Sequence, residues 1–429
     1  MSFYLDPSFF VALALAVAGA TFLGLRERPM ATYGLVVSAL FLVALFWGDA
    51  TGALAFLLFL ALAILATYVL FAKPGSRARF YGGVALVLAP LVIYKVTVSL
   101  GLGAGVNQAV AAWASQALGA AAQGASATQG AAAFAPTASP SAGAGLLGFM
   151  GISYVTFKAV QVLMETHDGL IERMRVRDYL YFLLFFPVFT SGPIDRSRRF
   201  AADIARVPSR DEYAGMLARG ILLLLLGMVY SMVIAPVFHQ WDGAHRWGTG
   251  PFGAELLGQL KTMYAYGLYL FFDFAGYSFM AMGAGYCLGV RVPRNFHAPF
   301  LAVDLKDFWN RWNITLSTWL RDFVFMRFSR VALARRWFKS TLVCAQVGLI
   351  LNMFIMGLWH GLTADYIVYG LYHGVLLAAT EGFQKKAGLY KHHRHAIWYR
   401  VLSWFVTVQL VMVGLAIFSG QAATMLGLR

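Results

Sequence analysis

Runs of about twenty residues without a single charge constrain this chain more than any other feature. Residues 7–25, 30–46 and 53–72 are each free of charge. Each is close to the ~20 helical residues that cross a ~30 Å hydrocarbon core. Similar runs at 80–100, 146–164, 216–237, 252–272, 340–359, 365–382 and 401–419 raise the expected number of spans to about ten. Some hold isolated charges, such as Lys95 or Lys158. In lipid every backbone amide needs an internal partner, and no strand-like alternation appears, so these runs are expected to be helices. Charged residues make up 12% of the chain, against about 25% in a soluble domain. The fold class expected is therefore an all-α polytopic membrane protein.

The net charge of +15 sits in the loops: RERP (26–29), KPGSRAR (73–79), ERMRVRD (172–178), RFSRVALARRWFK (327–339) and QKKAGLYKHHRHAIWYR (384–400). Positive-inside bias explains such clusters and places these loops in the cytosol, with the protein in the plasma (inner) membrane. A nucleic-acid partner is not expected, because loops between spans offer no binding module. The start, MSFYLDPSFF, has no basic n-region, and the first apolar run ends in RERP, so no cleavable signal is expected. Residues 101–145, rich in Ala, Gly and Ser, hold no charge. They read as an exported insertion, broken by glycines, Pro136 and Pro140. Cys287 and Cys344 show no metal-ligand spacing and are expected to be buried small residues.

Two segments depart from the lipid-facing pattern. The run 179–190, YLYFLLFFPVFT, is too short to cross comfortably and has arginines on both sides, which fits a re-entrant hairpin broken at Pro187 and at Gly192–Pro193. The stretch 304–328 repeats apolar residues at helical spacing (Phe308, Trp312, Leu316, Trp319, Leu320, Phe323) with Asn310, Arg311, Asn313, Arg321 and Asp322 between them. A helix over this stretch is too polar to face lipid on all sides, and lies at the interface or lines a cavity. Arg311, Arg321 and Asp322 are expected to hold it by buried pairing.

Two imidazoles stand out in GLWHGLTADYIVYGLYHG (357–374): His360 and His373. Ionisable groups at membrane depth are costly and default to functional candidates. Gly357 and Gly361 flank His360 and predict an open neighbourhood around its ring. Imidazole suits proton transfer because its unperturbed pKa lies near ~6.5. No G-x-S-x-G, H-E-x-x-H or P-loop is present. HHRH at 392–395 sits in a basic loop that repels cations, so no metal is expected.

Five words occur together: FFPVFTSGPIDR (185–196), YLFFDFAGYSFMAMGAGYCLG (269–289), RNFHAPFL (294–301), DFWNRWNITLSTWLRDFVFMRF (307–328) and MGLWHGLTADYIVYGLYHG (356–374). In this order they resemble the membrane-bound O-acyltransferases, most of all the branch that transfers D-alanine. The likeness covers about residues 145–385 well and the N-terminal spans loosely, leaving the insertion out. Together with the runs and loops above it divides the chain into N-terminal transmembrane helices over 1–100, the exported insertion over 101–145 and a catalytic core over 146–429. It also implies a ring of about ten to eleven transmembrane helices around a central funnel or tunnel. His360, in the W-H-G word, takes the catalytic place. The family's FWNRWH word here ends in Asn313, which can position a carbonyl by hydrogen bonding but cannot cycle a proton.

The resemblance further implies that Trp309, Arg311, Trp312, Ser317, Trp359 and His373 line the funnel. On this likeness the protein is expected to bind no cofactor of its own. A cytosolic D-alanyl carrier protein brings the acyl group as a phosphopantetheine thioester, and a small accessory membrane protein is an expected acyl acceptor, with membrane lipid around the spans. The carrier docks after the WLRD word, on Phe325, Met326, Arg327, Phe328, Arg330, Arg335 and Arg336. The alternatives are an O-acetyltransferase of an exopolysaccharide or peptidoglycan and, from another class, a solute transporter. Against the transporter, the chain shows no repeat of broken helices in two halves.

Overall fold

The computed structural model describes Tyr4 and residues 6–100, 148–242 and 252–425. The expected insertion over 101–145 lies outside the described residues. The described residues form helices joined by turns and links, with no strand among them. They group into two compact units, Met1–Leu222 with Ala281–Val292, and Leu223–Met280 with Pro293–Arg429.

In the first unit, capping residues set where the helices start. Helix α1 (Pro7–Leu25) has Pro7 at its first position and Asp6 as N-cap, accepting from the Ser8 amide at 2.9 Å. After α2 (Ala31–Leu45), α3 (Ala50–Phe71) starts where Asp49 Oδ1 accepts from the Gly52 amide at 2.9 Å. α4 (Arg77–Ser99) starts at Ser76. The helices α5 (Ile152–His167), α6 (Val176–Leu184), α7 (Ser197–Ala205) and α8 (Arg210–Met228) follow. The expected re-entrant run is the short α6 followed by one 3-10 turn, Phe186–Val188. Every residue from Tyr181 to Phe189 is buried. Phe186 stacks on Phe41 with ring centroids 4.0 Å apart, and the Tyr4 hydroxyl donates to the Pro187 carbonyl at 3.2 Å. Protein, not lipid, surrounds this break in the helix, and there irregular backbone is tolerated at membrane depth.

The second unit begins within α8 and includes α9 (Ala235–His239), most of α10 (Phe252–Cys287), α11 (Leu305–Trp309), α12 (Ile314–Leu320), α13 (Met326–Ala334), α14 (Thr341–His360), α15 (Ala364–Lys386), α16 (Gly388–His393) and α17 (Ile397–Phe418). Among the described residues, six helices are long and apolar enough to cross a membrane: α1, α3, α4, the run Arg210–His239, α14 and α17. The chain is thus a multi-pass membrane protein. The other runs that read as spans are helical too, but α2 has only 15 residues and α5 only 16, while α10 and α15 carry more polar side chains.

The polar stretch 304–328 departs from expectation. It is not one helix but α11, a turn, α12 and a π segment, Arg321–Phe325, leading into α13. The break falls at Asn313, whose backbone is left-handed (φ 41°), a conformation that Asn tolerates better than most residues. The neighbouring RNFH word clamps the turn. The His297 amide donates to the Arg311 carbonyl and the Ile314 amide to the Asn295 carbonyl, both at 2.9 Å, and Asn295 Oδ1 accepts from Thr315 Oγ1 at 2.5 Å. The spacing did identify the inward face correctly: Phe308, Trp312, Leu316, Trp319, Leu320 and Phe323 are all buried.

Candidate active site

His360 is the last residue of α14. α15 returns antiparallel after a three-residue link, and the two helices pack along most of their length. Lipid gives no hydrophobic drive for helix pairing, so close backbone approach must supply the attraction. Gly357, Gly370 and Gly374 allow it. A Cβ on Gly370 would sit 2.6 Å from the Met353 carbonyl, and one on Gly374 would sit 2.9 Å from Ile350 Cα. The open neighbourhood expected around His360 is therefore absent on this side. The backbone and ring of Tyr366 already fill the space beside Gly357 and Gly361.

The ring of His360 stands half-buried in an aromatic cage. Its centroid lies 4.5 Å from Trp359, 4.9 Å from Phe418, 5.9 Å from Tyr366 and 6.2 Å from Tyr369. Tyr369 continues the line inward, 4.8 Å from His373, and His373 meets Trp309 edge-on at 5.2 Å. Two expected site residues, Trp309 and His373, are thus in direct contact, and His360 joins them through one tyrosine. Tyr366, Tyr369 and Phe418 were not singled out from sequence. Tyr366, Tyr369 and His373 repeat at i, i+3 and i+7, one stripe of a helix, and that signal was readable.

Trp309 and His373, in contact here, each leave a buried polar atom without a partner, and two asparagines of the same unit do the same. His373 Nδ1, Trp309 Nε1, Asn313 Oδ1 and Asn352 Oδ1 are buried and have no hydrogen-bond partner among the described residues. Leaving one such group unsatisfied costs ~1–3 kcal/mol. Native structures leave few groups in that state, and each one calls for an explanation. Unused donors and acceptors along α11, α14 and α15 suit a polar guest.

The other expected residues divide. Trp312 is buried among Phe308, Phe296, Phe271 and Phe300, which makes it a packing residue. Ser317 Oγ donates to the Trp312 carbonyl at 3.2 Å. Arg311 pairs with Asp307 at 2.7 Å as expected, but the pair is only part-buried. The Arg321–Asp322 pair is not buried: the side chains are 54% and 40% exposed, because the π segment turns them away from the buried face.

In the docking stretch, Phe325 and Phe328 pack toward Gly348 of α14, while Met326, Arg330, Arg335 and Arg336 are exposed. Arg327 is half-buried. Arg330, Arg335 and Arg336 form no ion pair among the described residues.

Comparison with known proteins gives the family. Residues 43–419 match the model of the membrane-bound O-acyltransferase family. The teichoic acid D-alanyltransferase of Bacillus subtilis (strain 168) is 35% identical over 425 residues, covering 98% of both chains. That of Streptococcus thermophilus is 41% identical over 64% of this chain and 69% of its own. The probable alginate O-acetylase AlgI of Pseudomonas syringae is 30% identical over 63% of this chain and 49% of its own. A match that spans nearly all the helices described above, and runs through both histidines, makes this chain a member of the membrane-bound O-acyltransferase family and an O-acyltransferase.

Proposed function

We propose that this enzyme moves D-alanine from a carrier-protein thioester to a hydroxyl of an exported, teichoic-acid-like polymer, or to an intermediate acceptor. The observation that carries this reading is the extent of the match. Similarity to a D-alanyltransferase runs through 98% of both chains, whereas the alginate O-acetylase shares about half of its own length. Membership of an acyltransferase family sets the transporter reading aside.

In the reaction, His360 takes the proton of the acceptor hydroxyl as its oxygen attacks the thioester carbonyl carbon. The tetrahedral intermediate collapses with cleavage of the C–S bond. The phosphopantetheine thiolate leaves on the carrier and takes a proton from the imidazolium. A thiolate is a good leaving group, so the protein's task is mainly alignment, worth roughly 7–11 kcal/mol. A positioned base adds about 10²–10⁴-fold. The aromatic cage suits both needs: it fixes the imidazole plane, and it keeps out water that would hydrolyse the acyl group. Asn313 and the indole of Trp309 are the groups assigned to the substrate carbonyl, in the manner of an oxyanion hole. The carrier meets the exposed cations Arg330, Arg335 and Arg336 and the apolar Met326, a basic rim that favours an acidic partner and speeds encounter. The basic loops, this rim among them, face the cytosol, and the acceptor arrives from the other side of the membrane.

The test uses purified protein in lipid nanodiscs with a D-alanyl-loaded carrier and, separately, an acetyl donor. Wild type consumes only the D-alanyl thioester. His360→Ala still binds the carrier but transfers nothing. Consumption of acetyl alone moves the assignment to the O-acetyltransferase branch, and near-normal turnover by His360→Ala removes the imidazole from the chemistry.

A further inference from the structure

We infer that the second unit carries a binding cleft for an anionic phospholipid, separate from the aromatic cage of His360. The cleft, of about 600 Å³, lies between the start of α11, the C-terminal half of α15, α16 and the first half of α17. That volume falls within the ~300–1,000 Å³ of sites that enclose a small amphiphile, and is too small for a folded partner.

Its lining has two zones. One wall is apolar: Leu376 and Phe383 of α15, and Leu402, Val406 and Leu410 of α17. Leu402 and Val406 remain about half exposed. On α17 they continue into Val401 and Phe405, also exposed, along a helix apolar enough to span the membrane. The cleft therefore opens toward hydrocarbon.

The other zone is polar and basic: Arg394, His395 and Arg400, with the phenols of Tyr390 and Tyr399. Arg394 and Arg400 are exposed and form no ion pair among the described residues. One carboxylate, Asp304, also lines the cleft, but it is committed elsewhere. It caps α11 through the Asp307 amide and accepts from Gln384 Nε2, both at 2.9 Å.

Two arginines above an apolar trough, beside interfacial tyrosines and the exposed Trp398, match a phosphate headgroup over an acyl chain. Basic pockets between membrane helices bind anionic headgroups in this way, and aromatic residues mark the interface level. The bound lipid would contact the first residues of α11, whose last residue is Trp309, and so brace the segment that meets His373.

The experiment is detergent washing of the purified full chain, followed by native mass spectrometry in titrations with phosphatidylglycerol, phosphatidylcholine or inorganic phosphate. Wild type retains phosphatidylglycerol, and Arg394→Gln with Arg400→Gln weakens it about thirtyfold, at about fivefold per arginine. A control pair on two other basic loops, Arg28→Gln with Lys73→Gln, leaves it unchanged. Val406→Trp, which fills the trough but keeps both arginines, also displaces the lipid. Equal retention of phosphatidylcholine, competition by inorganic phosphate alone, or an equal loss in the control pair would each overturn the assignment. So would a carrier protein that occupies the cleft in place of lipid.

Discussion

Replacing Gly370 by alanine adds one methyl group to the junction between α14 and α15. Its Cβ would lie 2.6 Å from the Met353 carbonyl oxygen and 3.2 Å from the Cα atoms of Gly357 and Phe354. Ordinary contact begins near 3.4 Å, so the two helices must part by the difference between 3.4 and 2.6 Å, about 0.8 Å. All three obstacles are backbone, and none can rotate aside. Overpacking of this kind costs ~1–3 kcal/mol, against ~0.5–1 kcal/mol gained from alanine's better helix propensity. The net effect is a modest loss of stability. The effect on rate is larger, because α14 ends in His360 while Tyr369 and His373 stand one and three residues from Gly370. A shift near 1 Å at a reacting group costs ~10²-fold. Gly370→Ala is thus expected to insert, bind carrier normally and transfer acyl groups about a hundredfold more slowly in single-turnover assays. Gly82→Ala is the control, because a Cβ there meets nothing within 4 Å. Turnover of Gly370→Ala within about twofold of wild type would show that the helix junction does not set the position of the site.

Three further outcomes follow from the same geometry. Asn313→Gly keeps the left-handed backbone at φ 41° but removes the amide. It should leave the melting temperature within a few degrees of wild type and lower turnover by about 10²–10³-fold, as losing an oxyanion donor does; full activity would assign Asn313 to the turn alone. Gly414→Ala drives a methyl group onto Nε2 of His373 and should lower turnover at least tenfold without changing carrier affinity, measured by the same single-turnover assay with a binding titration. Arg335→Glu with Arg336→Glu reverses two exposed charges and should weaken carrier binding at least tenfold in low salt, with the difference shrinking at 1 M salt as screening shortens to ~3 Å; unchanged affinity would move docking to another surface.

What the sequence made legible, and what it hid, follows from the solvent. A bilayer leaves a helix few choices, so the charge-free runs announced themselves; that Asp6, Asp49 and Ser76 cap three of them was seen only in the fold. Burial of the 304–328 face was readable for the same reason: apolar spacing reports which side turns inward whether or not the helix is continuous. Continuity was not readable, because the break at Asn313 is held from outside, by hydrogen bonds donated to Asn295 and by His297, which lie earlier in the chain.

The glycines beside His360 are the sharper case. From sequence they meant an open neighbourhood around the ring. In the fold the same absence of side chain is consumed by Tyr366 and by the backbone of a helix that begins four residues after His360. A glycine records only that nothing is attached at that point. Whether the room is left for a ligand or taken by a neighbouring backbone depends on which element comes to lie against it. For His360 access must therefore come from the side not closed by α15. The half-buried ring, with Trp359 and Phe418 as its nearest aromatic rings, limits where an acceptor hydroxyl can approach. Enlarging the approach by Phe418→Ala should admit water as well as alcohol, and raise hydrolysis of the thioester relative to transfer.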